Sequence, residues 1–217
     1  MKFAIVLAGC GQHDGSETHE VILTLLSMAQ EGVSWDAFAP NIKQRHVTNH
    51  LTDKEEEGES RDVLKESARL VRGKIKPVTE SSASDYDAII FPGGVGAVAN
   101  LCDWLDKGKD FSFNQEVKQL IDSAVSMKKP MGFICIAPMI IPKIFHGAKL
   151  TIGNDQGLSD QINELGSEHI DCPATDVVVD KNHNIVSTPA NMLANGIDEV
   201  YEGIHKLVKE LVKMAKQ

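Results

Sequence analysis

The sequence predicts an α/β fold with a mostly parallel sheet covered by helices on both faces, and two observations carry that expectation. Short apolar runs of strand length alternate along the chain with longer stretches whose apolar residues recur at helical spacing. The runs stop at glycine or proline, as strands do when they hand over to loops. Such alternation favours parallel strands joined by helical crossovers.

The elements follow in order. KFAIVLAG (Lys2 to Gly9) is an apolar run ended by glycine, and Glu17 to Gln30 carries Val21, Leu25 and Met28 at helical spacing. Val33 to Ala39 reads as a second strand. Glu59 to Val71 reads as a helix with Val63, Leu64, Ala68 and Val71 on one side. Asp87 to Phe91 is a buried strand stopped by Pro92-Gly93-Gly94, and Asn114 to Met127 is a further amphipathic helix. Met131 to Ile136 has strand character, with Pro138 suited to the first turn of a helix. Val177 to Val179 and Ile185 to Ser187 flank DKNHN, a loop with hairpin chemistry, and Asp198 to Ala215 closes the chain as a helix. TDKEEEGE (Thr52 to Glu59) reads as a solvated loop rather than a domain boundary, so residues 1–217 are read as one domain.

Composition narrows the function classes. With 217 residues and 42% hydrophobic content the chain can fill a sizeable core. Its net charge of −9 offers no general attraction to nucleic acid or to an anionic membrane surface. No apolar stretch approaches the roughly 20 residues of a membrane span, and the first apolar run is too short for a signal-peptide core. The four cysteines form no CxxC pair, which fits reduced thiols in a cytoplasmic protein.

Ligands in such folds gather at the carboxyl ends of the strands, and three strand ends here are chemically loaded. GCGQHDGSETHE (Gly9 to Glu20) has glycines for a tight loop and Glu17 in the first turn of the next helix, where a carboxylate can also simply answer the helix dipole. GxG is present without GxxG spacing, so a dinucleotide site is weakly supported. His13 and His19 beside Cys10 lack a second cluster at ligand spacing, so no metal site is assigned. PGGVGAVANL (Pro92 to Leu101) exposes the backbone N–H groups of Gly93 and Gly94, which suit an oxyanion and equally suit an ordinary turn. GFICIAP places Cys135 at a strand-to-helix turn, the shape of a nucleophile elbow, where helix N–H groups lower a thiol's pKa. Spacing alone leaves Cys135 open between buried spacer and nucleophile. Asn100 and Asn191 are candidates to line the pocket, but loop asparagines cap and turn more often than they bind; Cys102 and Cys172 read as structural.

Taken together, GCGxxDGxExHE, PGGxGAxxNL and GFxCIAP, followed by LTIG, CP, VVD and TPAxML, resemble the ElbB-like, isoprenoid-biosynthesis-associated glyoxalases. These stand on the PfpI side of the class I glutamine-amidotransferase-like superfamily. The resemblance runs through nearly the whole chain and implies a flavodoxin-like three-layer sandwich, usually a homodimer. By position it implies Cys135 as nucleophile, Glu17 as the carboxylate beside the thiol, and Gly94 with Ile136 as backbone donors to an oxyanion, next to Gly93. The departures are informative. PfpI-type relatives often carry histidine directly after the cysteine, where this chain has Ile136, and the late H-x-E of glutamine amidotransferases is absent.

Without a visible Cys-His-Glu triad, peptidase and glutaminase chemistry is disfavoured, because both must protonate an amine leaving group. His146 and His169 are the histidines that remain as distant candidates for a base. A Cys-Glu pair suits a small reactive aldehyde, since addition to its carbonyl expels no leaving group. The expectation is therefore a glyoxalase without cofactor or metal, acting on glyoxal or methylglyoxal. The rivals are a cysteine redox sensor or glycation-repair protein, and a non-catalytic module that binds a small ligand in isoprenoid metabolism.

Overall fold

Lys2–Val6 (β1) leaves the amino terminus as an apolar strand buried on both of its faces. Ala4 and Val6 join one apolar cluster on one face, while on the other face Phe3 and Ile5 join two neighbouring clusters. A strand buried on both faces has no polar side to show, which is why this run reads as continuous rather than alternating. The computed structural model describes Met1–Gln217.

The remaining strands of the main sheet are Ser34–Ala39 (β2), Ile75–Pro77 (β3), Ala88–Phe91 (β4), Met131–Ile134 (β5), Val178–Asp180 (β6) and Ile185–Thr188 (β7). They lie in the order β6-β7-β5-β4-β1-β2-β3. All neighbours are parallel except the hairpin pair β6 and β7, where Val178 faces Ser187. Register is continuous across the centre: Phe3 pairs with Ala88, Ile89 with Met131, and Met131 with Ile185.

The main helices are Thr18–Gln30 (α1), Val63–Leu70 (α2), Gln115–Ser126 (α3), Gln156–Glu164 (α4) and Ile197–Met214 (α5). On one face α3 lays Val117, Leu120, Ile121 and Ala124 over Ile89, Phe91, Met131 and Phe133, with the Phe91 and Phe133 rings stacked at 5.0 Å. On the other, α1 and α5 pack side by side over Phe3, Ile90, Ile134 and Val186. Gly132 decides how close α5 sits, because a Cβ there would stand 2.8 Å from both Leu207 Cδ2 and Leu211 Cδ1. The result is a flavodoxin-like sandwich.

The helix and strand bounds differ from the expected ones by a few residues at the ends. The short strand β3, the helix α4, and the two-residue ladder of Lys149–Leu150 with Glu168–His169 carry too little apolar periodicity to be read from sequence. Part of the TDKEEEGE stretch forms a small hairpin, Thr48–Asn49 against Lys54–Glu55. No helix is long and apolar enough to cross a membrane.

Candidate active site

β5 ends at Cys135, whose N–H still donates to Thr188 O of β7 at 2.9 Å. Its backbone then turns into the left-handed region, φ +62°. For a residue with a Cβ this conformation costs about 1–2 kcal/mol, and such strain concentrates where a side chain must be presented. The chain continues as a 3-10 segment, Ala137–Lys143. The α-helix expected from Pro138 does not form, because Pro142 lies inside the same segment and lacks the N–H an α-helix would use.

The carboxylate beside the thiol is Glu20. Its carboxyl hydrogen-bonds the Cys135 sulfur, and its Oε2 accepts from Gly93 N at 2.9 Å. This corrects the placement of Glu17 next to the sulfur. Glu17 is the N-cap of α1, and its Oε2 accepts the Glu20 N–H at 2.7 Å. A cap side chain folds back on its own helix end, whereas Glu20, three residues on, sits at a position whose side chain reaches the strand ends. Glu20 is fully buried and Glu17 nearly so.

Burial, and then the charge of Glu17, push the Glu20 carboxyl from its ordinary 4.5 up to about 7. Burial and the Glu20 charge push the Cys135 thiol up as well, opposed by the N–H groups of Gly94 and Ile136, which hydrogen-bond the sulfur. Two adjacent buried acids retain at least one proton between them near neutrality. When Glu20 holds it, the carboxylic acid and two amides surround a thiolate.

The raised carboxyl makes a testable contribution to stability. A group that holds its proton more tightly folded than unfolded stabilises the fold below about pH 4.5, and that stabilisation is lost as pH rises through about 7. The difference is on the order of 3 kcal/mol. Urea denaturation of wild type and Glu20→Gln between pH 4.5 and 7.5 is expected to show the wild type losing about 2–3 kcal/mol relative to the variant. Parallel curves would mean that Glu20 titrates normally.

Gly93 and Gly94 are required by space. A Cβ on Gly93 would lie 2.4 Å from the Cys135 Cβ, and one on Gly94, at φ +89°, would lie 2.4 Å from both Glu17 N and Gly15 O. Gly93 O in turn accepts the Glu17 N–H at 2.9 Å, so this loop and the start of α1 lock together. The structure thus brings Cys135, Gly93, Gly94 and Ile136 to one point.

Asn191 belongs to this constellation, although the sequence reading ranked a pocket role for it below an ordinary turn. Its Nδ2 donates to Glu20 Oε1 at 2.9 Å and Glu17 Oε2 at 3.2 Å, bridging the two carboxylates. The preceding Ala190 has φ +45°, a second strained residue at the same edge. The available signal was the late TPANML segment, which follows β7 at the carboxyl end of the sheet. Because the Asn191 bond lowers the Glu20 pKa, Asn191→Ala is expected to move any Glu20-dependent limb of a pH–rate profile upward in pH. An unmoved limb would detach Asn191 from Glu20.

Other candidates lie elsewhere. Asn100 is structural, donating to Ala8 O and Asp14 O at 2.8 and 3.0 Å. Cys10 interacts with Thr18 and the charges of Glu66, Arg69 and Asp14. Burial pushes Cys102 up to about 12 and Cys172 up to about 11, which keeps both as thiols. His169 accepts from Ile152 N at 3.3 Å, and His146 is exposed against Gly166. Neither is among the groups bonded to Cys135 or Glu20. His19 pairs with Glu17 Oε1 at 3.6 Å from the solvent side, and His13 pairs with Asp53. No three metal-ligating side chains cluster.

No family model matches the chain. The ES1 protein homolog, mitochondrial, of Rattus norvegicus is 37% identical over 98% of this chain and 84% of its own length. The Homo sapiens glutamine amidotransferase-like class 1 domain-containing protein 3, mitochondrial, is 36% identical over 98% of this chain and 83% of its own. Among solved structures, an isoprenoid biosynthesis protein with amidotransferase-like domain from Ehrlichia chaffeensis superposes with a TM-score of 0.92 at 32% identity, covering 99% of both chains. Drosophila melanogaster DJ-1beta, at TM-score 0.57 and 18% identity over 100% of this chain and 91% of its own, shares the fold alone. On these identities, and with the strained cysteine at the end of β5, the chain belongs to the ES1 family of class I glutamine amidotransferase-like proteins.

Proposed function

We propose that the protein is a glutathione-independent glyoxalase that converts glyoxal to glycolate. The observation that carries this reading is the buried Glu20 carboxyl, raised to about 7 and hydrogen-bonded to the Cys135 sulfur. The Cys135 thiolate adds to one aldehyde carbon, and the Gly94 and Ile136 N–H groups receive the oxyanion of the resulting hemithioacetal. Glu20 passes that oxyanion the proton it holds, then, as a carboxylate, removes the proton from the same carbon and returns it to the neighbouring one, which leaves a thioester of the hydroxy acid. Water cleaves the thioester, releasing glycolate and the free thiol. Overall, one glyoxal and one water give one glycolic acid, so no oxidant or reductant is needed.

The narrowness of the site supports a small substrate. Cys135 is only 7% exposed, which suits a two- or three-carbon aldehyde better than a peptide. Glycolate production by the purified protein, absent in Cys135→Ala, is the expected result. Production that persists in Cys135→Ala would end the proposal.

A second reading has one observation in its favour. The acid and amide donors around Cys135 are also suited to holding an oxidised sulfur, because a sulfinate is a compact acceptor of such bonds. Mass spectrometry after mild peroxide distinguishes them: stoichiometric sulfinate confined to Cys135, without glycolate production, would favour a sensor. A cytoplasmic or other reducing compartment accords with four free cysteines, although the rat and human relatives are named as mitochondrial. A role in isoprenoid biosynthesis, as the Ehrlichia relative's name states for that protein, is carried over as part of this proposal. So is a homodimer, for which Ile22 and Leu26, exposed one turn apart on α1, offer an apolar face. Sedimentation at micromolar concentration is expected to give twice the chain mass.

A further inference from the structure

The end of the sheet opposite Cys135 holds a cavity of about 320 Å³ between the carboxyl end of α3 and the β6–β7 hairpin loop. Its polar wall consists of Lys128, Lys129, Lys181, Asn182, His183 and Asn184, with no carboxylate among the lining residues. In a chain of net charge −9 this is a local concentration of positive charge. Nearby Lys118 is paired with Asp122 at 2.5 Å and Lys149 with Glu168 at 3.5 Å, whereas Lys128, Lys129 and Lys181 have no carboxylate partner. Asp180, which precedes the hairpin loop, is spent internally: it accepts from Lys149 N at 2.8 Å, Asn182 N at 2.9 Å and His183 N at 3.2 Å, and binds His183 Nδ1 at 2.8 Å.

The walls are held in place. Lys128 and Asn184 both adopt left-handed backbone, φ +54° and +55°, and Asn184 Nδ2 donates to Lys128 O at 3.2 Å, tying the two loops together. Asn184 O accepts from Met131 N at 2.9 Å, which anchors the hairpin loop to the start of β5. The apolar part of the cavity is formed by Val125 and Phe145, both half-buried, with the Phe145 ring against His183 at 5.2 Å.

We propose that this cavity binds a small organic phosphate, the phosphate on the three lysines and the organic part against Val125 and Phe145. Like-charged ammonium groups sharing one concavity repel each other, and a dianion with three acceptor oxygens relieves that repulsion better than a planar monoanionic carboxylate. The cavity's apolar wall gives an ester an advantage over inorganic phosphate. The site is separate from Cys135, since β5 runs from its anchor at Met131 away to the thiol.

Calorimetric titration of the full chain with phenyl phosphate, inorganic phosphate and benzoate at low salt tests this. The expected result is a phenyl phosphate Kd below about 1 mM, with inorganic phosphate and benzoate each at least about tenfold weaker. Lys128→Gln/Lys129→Gln/Lys181→Gln is expected to weaken phenyl phosphate at least about tenfold, while the triple Arg variant and Cys135→Ala retain it. Retained binding in Cys135→Ala also keeps this result independent of the glyoxalase proposal. No binding by the wild type, equal binding by the triple Gln variant, or benzoate binding as tightly as phenyl phosphate would overturn the assignment.

Discussion

Glu20→Gln is expected to lower glyoxal turnover by about 10²–10⁴-fold, the usual contribution of a positioned general acid–base, and Glu17→Gln by about tenfold or less. The geometry sets the asymmetry. Glu20 bonds the sulfur and carries a pKa near working pH, whereas Glu17 caps α1 and acts on the sulfur through Glu20. Glutamine keeps the size and the hydrogen-bonding reach of Glu20 but has no proton to move. The loss should therefore fall on kcat more than on KM. Steady-state assays of both variants check this, and a Glu17→Gln defect exceeding that of Glu20→Gln would reverse the assigned roles. With wild type, the acid limb of kcat is expected near pH 7, following Glu20.

Gly93→Ala is expected to damage both stability and activity. The added carbon would stand 2.4 Å from Cys135 Cβ, 2.7 Å from Glu20 Oε2 and 2.7 Å from Ile134 O. Two of these neighbours belong to the end of β5 and cannot swing aside, so the loop must shift and release the Gly93 N–H bond to Glu20. Overpacking of this kind costs about 1–3 kcal/mol, and the lost buried hydrogen bond adds to it. For a chain of this size a destabilisation of about 3 kcal/mol lowers the Tm by about 6–12 °C. Calorimetry together with the activity assay checks both consequences. A variant that melts within about 2 °C of wild type and retains turnover would mean that Gly93 does not form the tight contact described.

The parts of the site that were legible in sequence are those whose residue types announce a backbone task. Gly93-Gly94 after a strand, and a cysteine between an apolar run and Ile136-Ala137-Pro138, mark a tight loop and an elbow whatever surrounds them. Glu17 and Glu20 show the limit. Both follow the same glycine loop and both are carboxylates, and a one-dimensional reading has no means of telling the residue that caps the helix from the one that faces the thiol. Asn191 shows it again. It lies 171 residues from Glu20, and its side chain matters only because β7 pairs with β5 and delivers it to the same edge.

By itself, then, the sequence determined the α/β architecture, the placement of the chemistry at strand ends and a cysteine at the turn that follows a strand, because apolar periodicity and glycine–proline punctuation act locally along the chain. Only the tertiary structure decided which carboxylate meets the sulfur, that an asparagine bridges the acid pair, and that three unpaired lysines from two distant segments share one cavity. Those facts depend on desolvation and on distances of a few ångströms between elements, which hydrophobic pattern constrains only to the level of a buried face.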